Sequence, residues 1–422
     1  MTRVRLVPGP VTGRVRAPPS KSYTHRALVV GHLSGRRFRV EDPLDADDTR
    51  ATADALGPLG STVDFDRGAW VVRPGRKVGP RHATVDCGES GTTLRFLSAV
   101  AARGGRPIRF NGRARLGARP MRGLLRALST LGASVRVAPA GLPIDICGPL
   151  RGGRVRLDAS DSSQFVSSLL LTLPTLDEDS HLELTGEVVS APYIDATLAL
   201  LRHHGVRVTR RPRSYFIRGG QRYHGSRFRV PGDASSAAYF WAAAALAEGP
   251  VRVDGISEQW PQADRAILPL LRAFGAHVSS GRDWVRVTAG GRHPFSVDLT
   301  DTPDLYPLVG VLAAVAPGRS RISGAPHVAH KESDRRAGTV RLIRALGASV
   351  RETRAGLVVT GILSPKAIRL SHLEDHRMVM SAAVGALAGS GPSQVGPAEA
   401  TRKSFPEFWL ALRKLGAEVR EL

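Results

Sequence analysis

Two kinds of apolar stretch alternate along the chain. In the first kind nearly every position is apolar, as in residues 237–246 and 305–316, and such a stretch predicts a helix buried on all sides. In the second kind the apolar residues fall on one side of a helix, as in residues 124–131 and 340–346, and this spacing predicts an amphipathic helix. Short segments rich in valine, such as residues 251–253, lie between the helices and predict strands.

The two kinds of stretch belong to a sequence repeat. A glycine follows each amphipathic stretch, and successive copies of it are 69 to 73 residues apart. The six copies are Gly60, Gly132, Gly205, Gly275, Gly347 and Gly416. The apolar stretches begin in register with them, near Ser22, Thr92, Ser163, Ser235, Asp304 and His376. This regularity indicates six structural repeats, with each glycine predicted to end a helix in the left-handed conformation before a strand.

The repeat predicts an α/β fold. Each copy contributes one buried helix, one amphipathic helix and short strands. Six buried helices in one closed layer would exceed the usual size of a single core in a chain of 422 residues, so we expect two lobes with three repeats each.

Composition indicates a soluble cytoplasmic protein. Apolar residues make up 42% of the chain, but the longest apolar stretches are too short to span a bilayer. The first residues lack the apolar segment of a secretory signal. Cys87 and Cys147 are the only cysteines and stand in unrelated contexts, which favours a reducing compartment and argues against a zinc site.

The formal net charge of +23 suggests either a nucleic-acid partner or small acidic substrates. The cationic residues are scattered, and no basic stripe with interleaved aromatic residues occurs, which disfavours nucleic acid. Small anions explain the excess equally well. A non-enzymatic nucleic-acid-binding repeat protein is kept as an alternative.

Candidate chemistry lies where the buried helices are predicted to begin. Lys21, Ser22 and Arg26 occupy the start of the first one, where free backbone N–H groups and the helix dipole already favour an anion. Later repeats carry similar groups at equivalent places. They are Gly91 and Arg119 in the second repeat, Ser162, Ser163, Gln164, Ser190 and Tyr193 in the third, Asp304, Lys331, Glu332 and Arg335 in the fifth, and His376, Arg377 and Lys403 in the sixth. Cationic residues and carboxylates at equivalent positions of several repeats predict one shared site that binds anions.

These segments together resemble the 5-enolpyruvylshikimate-3-phosphate synthase family over essentially the whole chain. The matching segments, in order, are Ser20-Lys21-Ser22, Gly91-Thr92, Arg119-Pro120, Ser162-Ser163-Gln164-Phe165, Lys331-Glu332-Ser333-Asp334-Arg335, Asp375-His376-Arg377-Met378 and Lys403-Ser404-Phe405-Pro406. The resemblance implies a two-lobed inverse α/β barrel of six βαβαββ units, three per lobe, with parallel buried helices. It places the first lobe at residues 14–223, the second at residues 1–13 plus 224–422, and the active site in the cleft between them.

The resemblance also implies an activity. The family transfers the enolpyruvyl group of phosphoenolpyruvate to the 5-hydroxyl of shikimate 3-phosphate through a tetrahedral ketal and releases phosphate, without a metal or organic cofactor. Asp304, Glu332 and Lys21 would be catalytic. Shikimate 3-phosphate would be held by Lys21, Ser22, Arg26, Ser162, Ser163, Gln164, Ser190, Tyr193, Asp304 and Lys331. Phosphoenolpyruvate would be held by Lys21, Gly91, Arg119, Gln164, Arg335, Arg377 and Lys403. The expected partners are these two small molecules alone, with no nucleic acid and no membrane, and the expected state is a monomer.

The chain departs from the common pattern of this family at a few positions. Glu89-Ser90 replaces Asn-Ala before Gly91, so sensitivity to glyphosate is not predicted, and His327 stands where an asparagine often contacts shikimate 3-phosphate. His376 is interpreted as a helix-cap residue, with a ligand-facing role as the alternative. The rival enzyme is the UDP-N-acetylglucosamine enolpyruvyl transferase, which shares the fold, but Ala114 stands where that enzyme generally has its reactive cysteine.

Overall fold

The computed structural model describes residues 2–75 and 83–422. Within these residues the chain forms twenty-four strands, twelve α-helices and six short 3-10 helices. The strands are β1 (Val4–Val7), β2 (Gly13–Arg16), β3 (Phe38–Glu41), β4 (Ser61–Asp66), β5 (Ala69–Pro74), β6 (Ala83–Asp86), β7 (Ile108–Asn111), β8 (Ser134–Val137), β9 (Ile144–Cys147), β10 (Gly153–Asp158), β11 (Ser180–Thr185), β12 (Val208–Arg211), β13 (Ser214–Ile217), β14 (Arg227–Arg229), β15 (Val251–Asp254), β16 (His277–Ser280), β17 (Trp284–Thr288), β18 (Ser296–Asp298), β19 (Gly318–Ser323), β20 (Ser349–Thr353), β21 (Gly356–Gly361), β22 (Arg369–Leu370), β23 (Ser393–Val395) and β24 (Glu418–Glu421).

The α-helices fall into the two predicted kinds. Those buried nearly all round are α1 (Lys21–Leu33), α3 (Gly91–Arg103), α5 (Ser163–Thr172), α7 (Ala234–Leu246), α9 (Tyr306–Ala314) and α11 (His376–Leu387). The second helix of each repeat is α2 (Asp47–Ala55), α4 (Arg122–Thr130), α6 (Ala191–His203), α8 (Ile267–Phe274), α10 (Arg335–Ala345) or α12 (Phe408–Lys414). The 3-10 helices are Ala114–Ala118, Leu173–Thr175, Ala263–Ala266, Pro303–Leu305, Pro326–His330 and Ala398–Lys403.

The six sheets formed by residues 2–75 and 83–422 each have four strands, and all share one topology. In the sheet ordered β10-β11-β13-β12, for example, β10 runs parallel to β11, and β13 is antiparallel to both of its neighbours. Between β10 and β11 lies α5, and between β11 and β12 lies α6, which gives the βαβαββ unit. The predicted fold class, with six repeats of an α/β unit, is confirmed.

The repeat glycine works as predicted. Each of the six has a positive φ, from +76° at Gly205 to +113° at Gly275. Residues with a Cβ avoid this region of backbone space, so glycine ends the helix at low cost and turns the chain into the following strand.

The chain divides into two compact units, Pro19–Val230 and Met1–Pro18 with Pro231–Leu422. The lobe bounds expected from the sequence, 14–223 and 1–13 plus 224–422, differ from this division at two strands. Strand β2 precedes α1 in the chain but pairs with β15, and β14 precedes α7 but pairs with β3. Each of these strands therefore belongs to the unit opposite the one its position in the sequence suggested.

Each unit has three buried helices at its centre. In Pro19–Val230 the helices α1, α3 and α5 contact one another, and in the other unit α7, α9 and α11 do so. Such helices form because their residues are apolar at every turn, and only a neighbouring helix or sheet on each side can cover them. Among the described residues, no helix is both long and apolar enough to cross a membrane.

Candidate active site

Polar side chains cap four of the six buried helices at their N-termini, α3, α5, α7 and α11. The side chains of Ser90, Ser162 and Asp375 accept hydrogen bonds from backbone N–H groups in the first turns of α3, α5 and α11. Lys21, Gly91 and Ser163 are the first residues of α1, α3 and α5, as the sequence predicted. The candidate residues therefore lie where the backbone supplies N–H donors to an anion.

Lys21 pairs with a carboxylate that the sequence analysis did not single out. Its Nζ lies 3.1 Å from Oδ2 of Asp48, which is 5% exposed and belongs to α2. This carboxylate fixes the position of the ammonium group at the start of α1. The two adjacent acids at the start of α2 were the available sequence signal.

Arg26 is buried in this unit and holds its neighbours. Its guanidinium donates to the backbone oxygens of Ser22 and Tyr193, both at 2.9 Å, and to the hydroxyl of Thr197 at 2.8 Å. Burial lowers its pKa to about 10. Arg26 thus connects α1 to α6 and fixes two other predicted ligands of shikimate 3-phosphate, Ser22 and Tyr193.

Arg119 lies against Gly91. A Cβ added to Gly91 would stand 2.6 Å from Nη1 of Arg119, closer than real contacts allow. The absence of a side chain at Gly91 is what lets the guanidinium rest at the N-terminus of α3. The structure therefore brings together two of the residues expected to hold phosphoenolpyruvate.

Arg95 connects further candidates and was missed as a site residue. From inside α3 it donates to Oε1 of Gln164 at 2.7 Å and to the backbone oxygen of Pro120 at 3.0 Å. Nε2 of Gln164 in turn donates to the hydroxyl of Thr92 at 2.9 Å. An arginine inside an otherwise apolar helix was the signal, because a buried cation needs partners.

Ser190 has a strained backbone. It precedes α6 with φ 57° and ψ 39°, a left-handed conformation that is costly for a residue with a Cβ and that clusters at functional sites. Tyr193 is half-buried in the first turn of the same helix, and Ser162 is buried at the start of α5.

In the other unit, Arg335 binds three carboxylates. Its guanidinium lies 2.7 Å from Oδ1 of Asp304, 2.7 Å from Oε2 of Glu332 and 2.8 Å from Oδ2 of Asp375. Arg335 is 1% exposed. Burial alone would lower its pKa, but Asp375, Glu332 and Asp304 outweigh burial and raise it above the ordinary value. A planar guanidinium with five N–H donors suits this arrangement, which a lysine could not reproduce.

Asp304 lies between two arginines. Its second oxygen, Oδ2, accepts from Nη2 of Arg377 at 2.7 Å. Burial would raise the pKa of Asp304, but the positive charges of Arg377, Arg335 and Lys331 dominate and hold it well below the ordinary value. Asp304 is therefore ionised at neutral pH, as a proton acceptor must be.

Three further candidates are placed as follows. Lys403 is half-buried at the end of the 3-10 helix Ala398–Lys403. His327 is 8% exposed, and burial together with the charge of Lys331 lowers its pKa to about 3. The interpretation of His376 as a cap was wrong, because the side chain of Asp375 caps α11 and His376 is the fully buried first residue of that helix.

Asp264 is a buried carboxyl group near Asp304 that the sequence analysis did not single out. It is 1% exposed, and neither carboxyl oxygen has a hydrogen bond of regular geometry within the described part of the chain. Burial and the nearby charge of Asp304 raise its pKa to about 7, although Arg377 and Ser235 act in the opposite direction. The described residues contain no group of three or more His, Cys, Asp or Glu side chains placed to hold a metal ion.

Comparisons with known proteins show the family of the chain. A model of the EPSP synthase (3-phosphoshikimate 1-carboxyvinyltransferase) family matches residues 7–412. The chain is 42% identical to the 3-phosphoshikimate 1-carboxyvinyltransferase of Thermococcus kodakarensis over 96% of this chain and 98% of the relative. It is 38% identical to the protein of the same name from Methanocorpusculum labreanum over 97% and 98%.

Solved structures show the same fold. An EPSP synthase from Acinetobacter baumannii superposes with a TM-score of 0.83 at 24% identity, covering 100% of both chains. The enolpyruvyl transferase NikO from Streptomyces tendae gives 0.80 at 19% identity, covering 100% of this chain and 99% of that one. Because the family model and the curated relatives each cover nearly the whole chain, the protein belongs to the EPSP synthase family.

Proposed function

We propose that the protein transfers the enolpyruvyl group of phosphoenolpyruvate to the 5-hydroxyl of shikimate 3-phosphate and releases phosphate, a step of the shikimate pathway toward aromatic amino acids. Its membership of the EPSP synthase family supports this activity. The observation that carries the chemistry is the carboxylate of Asp304 held between Arg335 and Arg377. This arrangement combines an ionised base with two cations suited to an anionic substrate.

The reaction needs one base and one acid. A proton is added to the methylene carbon of phosphoenolpyruvate while the 5-hydroxyl oxygen bonds to the adjacent carbon and gives up its own proton, which produces a tetrahedral ketal phosphate. Loss of a proton from the new methyl group and departure of phosphate then restore the double bond. Asp304 is proposed to accept the hydroxyl proton, and Glu332 and Lys21 are proposed to move the proton on carbon.

Arg335 and Arg377 link the binding of phosphoenolpyruvate to the basicity of Asp304. Arg335 and Arg377 both donate to Asp304, which makes this carboxylate a weak base. A phosphoenolpyruvate anion that takes over some of these donors would weaken the two ion pairs and raise the pKa of Asp304. The base would thus gain strength only when the second substrate is bound.

The binding roles are proposed residue by residue. We assign shikimate 3-phosphate to Lys21, Ser22, Ser162, Ser163, Gln164, Ser190, Tyr193, Asp304 and Lys331, with Arg26 acting chiefly through Ser22 and Tyr193. We assign phosphoenolpyruvate to Lys21, Gly91, Arg119, Gln164, Arg335, Arg377 and Lys403. The hydrogen bonds of Arg95 to Gln164 and Pro120 support a common role for Gln164 and Arg119.

We further propose that the protein works in the cytoplasm as a monomer. Its two cysteines are both free thiols, with Cys87 buried after β6 and Cys147 half-buried at the end of β9, and free thiols suit a reducing compartment. Light scattering coupled to size-exclusion chromatography tests the monomer, and a mass near 90 kDa, twice the chain mass of 45.1 kDa, would contradict it.

Phosphate release tests the proposed reaction. The protein is supplied with phosphoenolpyruvate and either shikimate 3-phosphate or UDP-N-acetylglucosamine, and inorganic phosphate is measured over time. Phosphate release when shikimate 3-phosphate, but not UDP-N-acetylglucosamine, accompanies phosphoenolpyruvate supports the proposal. Phosphate release only when UDP-N-acetylglucosamine is the acceptor supports the rival transferase. Tight, salt-dependent binding to duplex DNA without any phosphate release would favour the nucleic-acid alternative.

A further inference from the structure

Four buried polar side chains form a hydrogen-bonded chain that begins one helical turn after Lys21 and ends at the residue before Gly91. Nδ1 of His25 lies 2.7 Å from the hydroxyl of Thr52, which lies 2.7 Å from the hydroxyl of Thr93, which donates to the hydroxyl of Ser90 at 2.7 Å. Thr52 and Thr93 are fully buried, and His25 and Ser90 are each 1% exposed. Side chains of α1, α2 and α3 are thereby joined in one line.

The hydrogen atoms of this chain have one order that satisfies every member. In this order the hydroxyl of Thr93 donates to Ser90 at 2.7 Å. Either hydroxyl of the Thr52–Thr93 pair can be the donor by geometry, and in this order Thr52 donates to Thr93 and accepts from Nδ1 of His25.

The second ring nitrogen of His25 supports this order. Nε2 has no hydrogen-bond partner within the described residues, so a hydrogen on Nε2 would be buried and unsatisfied, whereas a hydrogen on Nδ1 is donated to Thr52. Burial, with the nearby charges of Lys21 and Arg26, holds the pKa of His25 well below the ordinary value. The ring therefore stays neutral and keeps one tautomer across the physiological pH range.

Both ends of the chain reach residues that the proposed function uses. Ser90 caps α3, whose first residue is Gly91. His25 stands one helical turn after Lys21 on α1, and the carboxylate of Asp48 pairs with Lys21. The four side chains therefore connect the element that carries the ammonium group to the turn that carries Gly91.

We propose that His25, Thr52, Thr93 and Ser90 form a hydrogen-bonded brace that fixes the position of Lys21 relative to the turn at Gly91 and thereby sets the affinity for phosphoenolpyruvate. The proposal rests on the proposed function, in which both residues hold that substrate. His25 is a positioning residue, because it acts through Thr52, Thr93 and Ser90.

Valine substitutions test the brace because they remove a hydroxyl and keep the shape of the side chain. Thr52→Val and Thr93→Val are each expected to raise KM for phosphoenolpyruvate roughly tenfold, the effect of about one lost hydrogen bond, and to change KM for shikimate 3-phosphate much less. Thr52→Ser keeps the hydroxyl and should restore KM. The double variant should be little worse than either single variant, because both break the same chain.

Thr172→Val is the matched control. Thr172 is a fully buried threonine in the same unit, and its hydroxyl has no hydrogen-bond partner among the described residues. Its substitution should leave KM for both substrates unchanged. If Thr172→Val raised KM for phosphoenolpyruvate as much as Thr52→Val does, or if Thr52→Val changed stability alone, the brace would be refuted.

Nitrogen-15 NMR of histidine-labelled protein tests the brace independently of catalysis. The His25 signal, assigned by its loss in His25→Asn, should show a neutral ring protonated on Nδ1 at pH 7, and Thr52→Val should shift it. A ring protonated on Nε2 or on both nitrogens would overturn the proposal. A wild-type protein that shows the expected tautomer but releases no phosphate would contradict the proposed function and leave the hydrogen-bonded chain itself supported.

Discussion

Arg335 and Asp375 form an ion pair from which water is excluded. Nε of the arginine lies 2.8 Å from Oδ2 of the aspartate, and their side chains are 1% and 0% exposed. Asp375 also caps α11 by accepting from the backbone N–H of Arg377 at 2.9 Å. One carboxylate thus orients two of the three arginines expected to bind phosphoenolpyruvate, Arg335 through its side chain and Arg377 through its backbone.

Asp375→Asn should destabilise the protein. The substitution leaves the buried guanidinium of Arg335 with one charge fewer to balance it and weakens the cap of α11, so we expect the free energy of unfolding to fall by about 3 kcal/mol. Urea unfolding followed by circular dichroism measures this change.

The control for this prediction is Asp145→Asn. Asp145 pairs with Arg109 at 2.8 Å, but the two side chains are 35% and 54% exposed. A solvated pair should contribute less than about 1 kcal/mol. Equal losses in the two variants would show that burial of the Arg335 pair has no energetic consequence.

Gly91→Ala should weaken binding of phosphoenolpyruvate. The new methyl group would overlap the guanidinium of Arg119, which must move away from the N-terminus of α3. We expect KM for phosphoenolpyruvate to rise by at least about tenfold, the effect of losing about 1.4 kcal/mol of binding, with KM for shikimate 3-phosphate little changed. Gly105→Ala is the control, because nothing lies within 4 Å of a Cβ at Gly105.

Local sequence signals predicted the elements of this fold well. Two of these signals are the six glycines at the ends of the amphipathic helices and the six apolar stretches. Both depend only on residues that are close together in the sequence, and both appear in the structure as expected. The expected lobe bounds differ from the two compact units at β2 and β14, whose partners β15 and β3 are distant in sequence. No local pattern records such a pairing.

The same distinction applies to the site. Lys21 and Gly91 lie in segments whose order along the chain carries the resemblance, and Asp304 is a charged residue just before an apolar stretch, so all three could be singled out from the sequence. Arg95 gains its role from Gln164, which is on another buried helix, and Asp264 gains its pKa from burial and from Asp304. These contacts join different repeats, so they became visible only when the helices were placed together.

Asp304→Asn should abolish most of the turnover. The amide keeps the shape of the carboxylate but cannot accept the hydroxyl proton, and loss of a general base typically costs about 10²- to 10⁴-fold in rate. Binding of shikimate 3-phosphate, measured by calorimetry, should be largely retained. Asp298→Asn is the control, because Asp298 accepts hydrogen bonds from Thr300 and Ser323 and is not part of the arginine network. Near-normal phosphate release by Asp304→Asn would exclude Asp304 as the base.

Asp264 should make stability depend on pH near neutrality. Its pKa is raised from 3.8 to about 7 in the folded protein, first by burial and then by Asp304, so the folded state binds the proton more tightly than the unfolded state. The stabilisation from the protonated form is complete below pH 3.8 and is lost as the pH rises through about 7.

Asp264→Asn isolates this contribution because the amide is neutral at every pH and has nearly the same shape. The free energy of unfolding of the wild type, measured relative to this variant, should fall by a few kcal/mol, at most, between pH 5 and pH 8. Asp298 has a lowered pKa and is ionised throughout this range. The free energy of unfolding of the wild type, measured relative to Asp298→Asn, should therefore not fall between pH 5 and pH 8. If the free energies of unfolding of the wild type and Asp264→Asn differed by the same amount at every pH, Asp264 would not hold a proton in the folded protein. The low pKa of Asp304 would then not depend on a neutral carboxylic acid nearby.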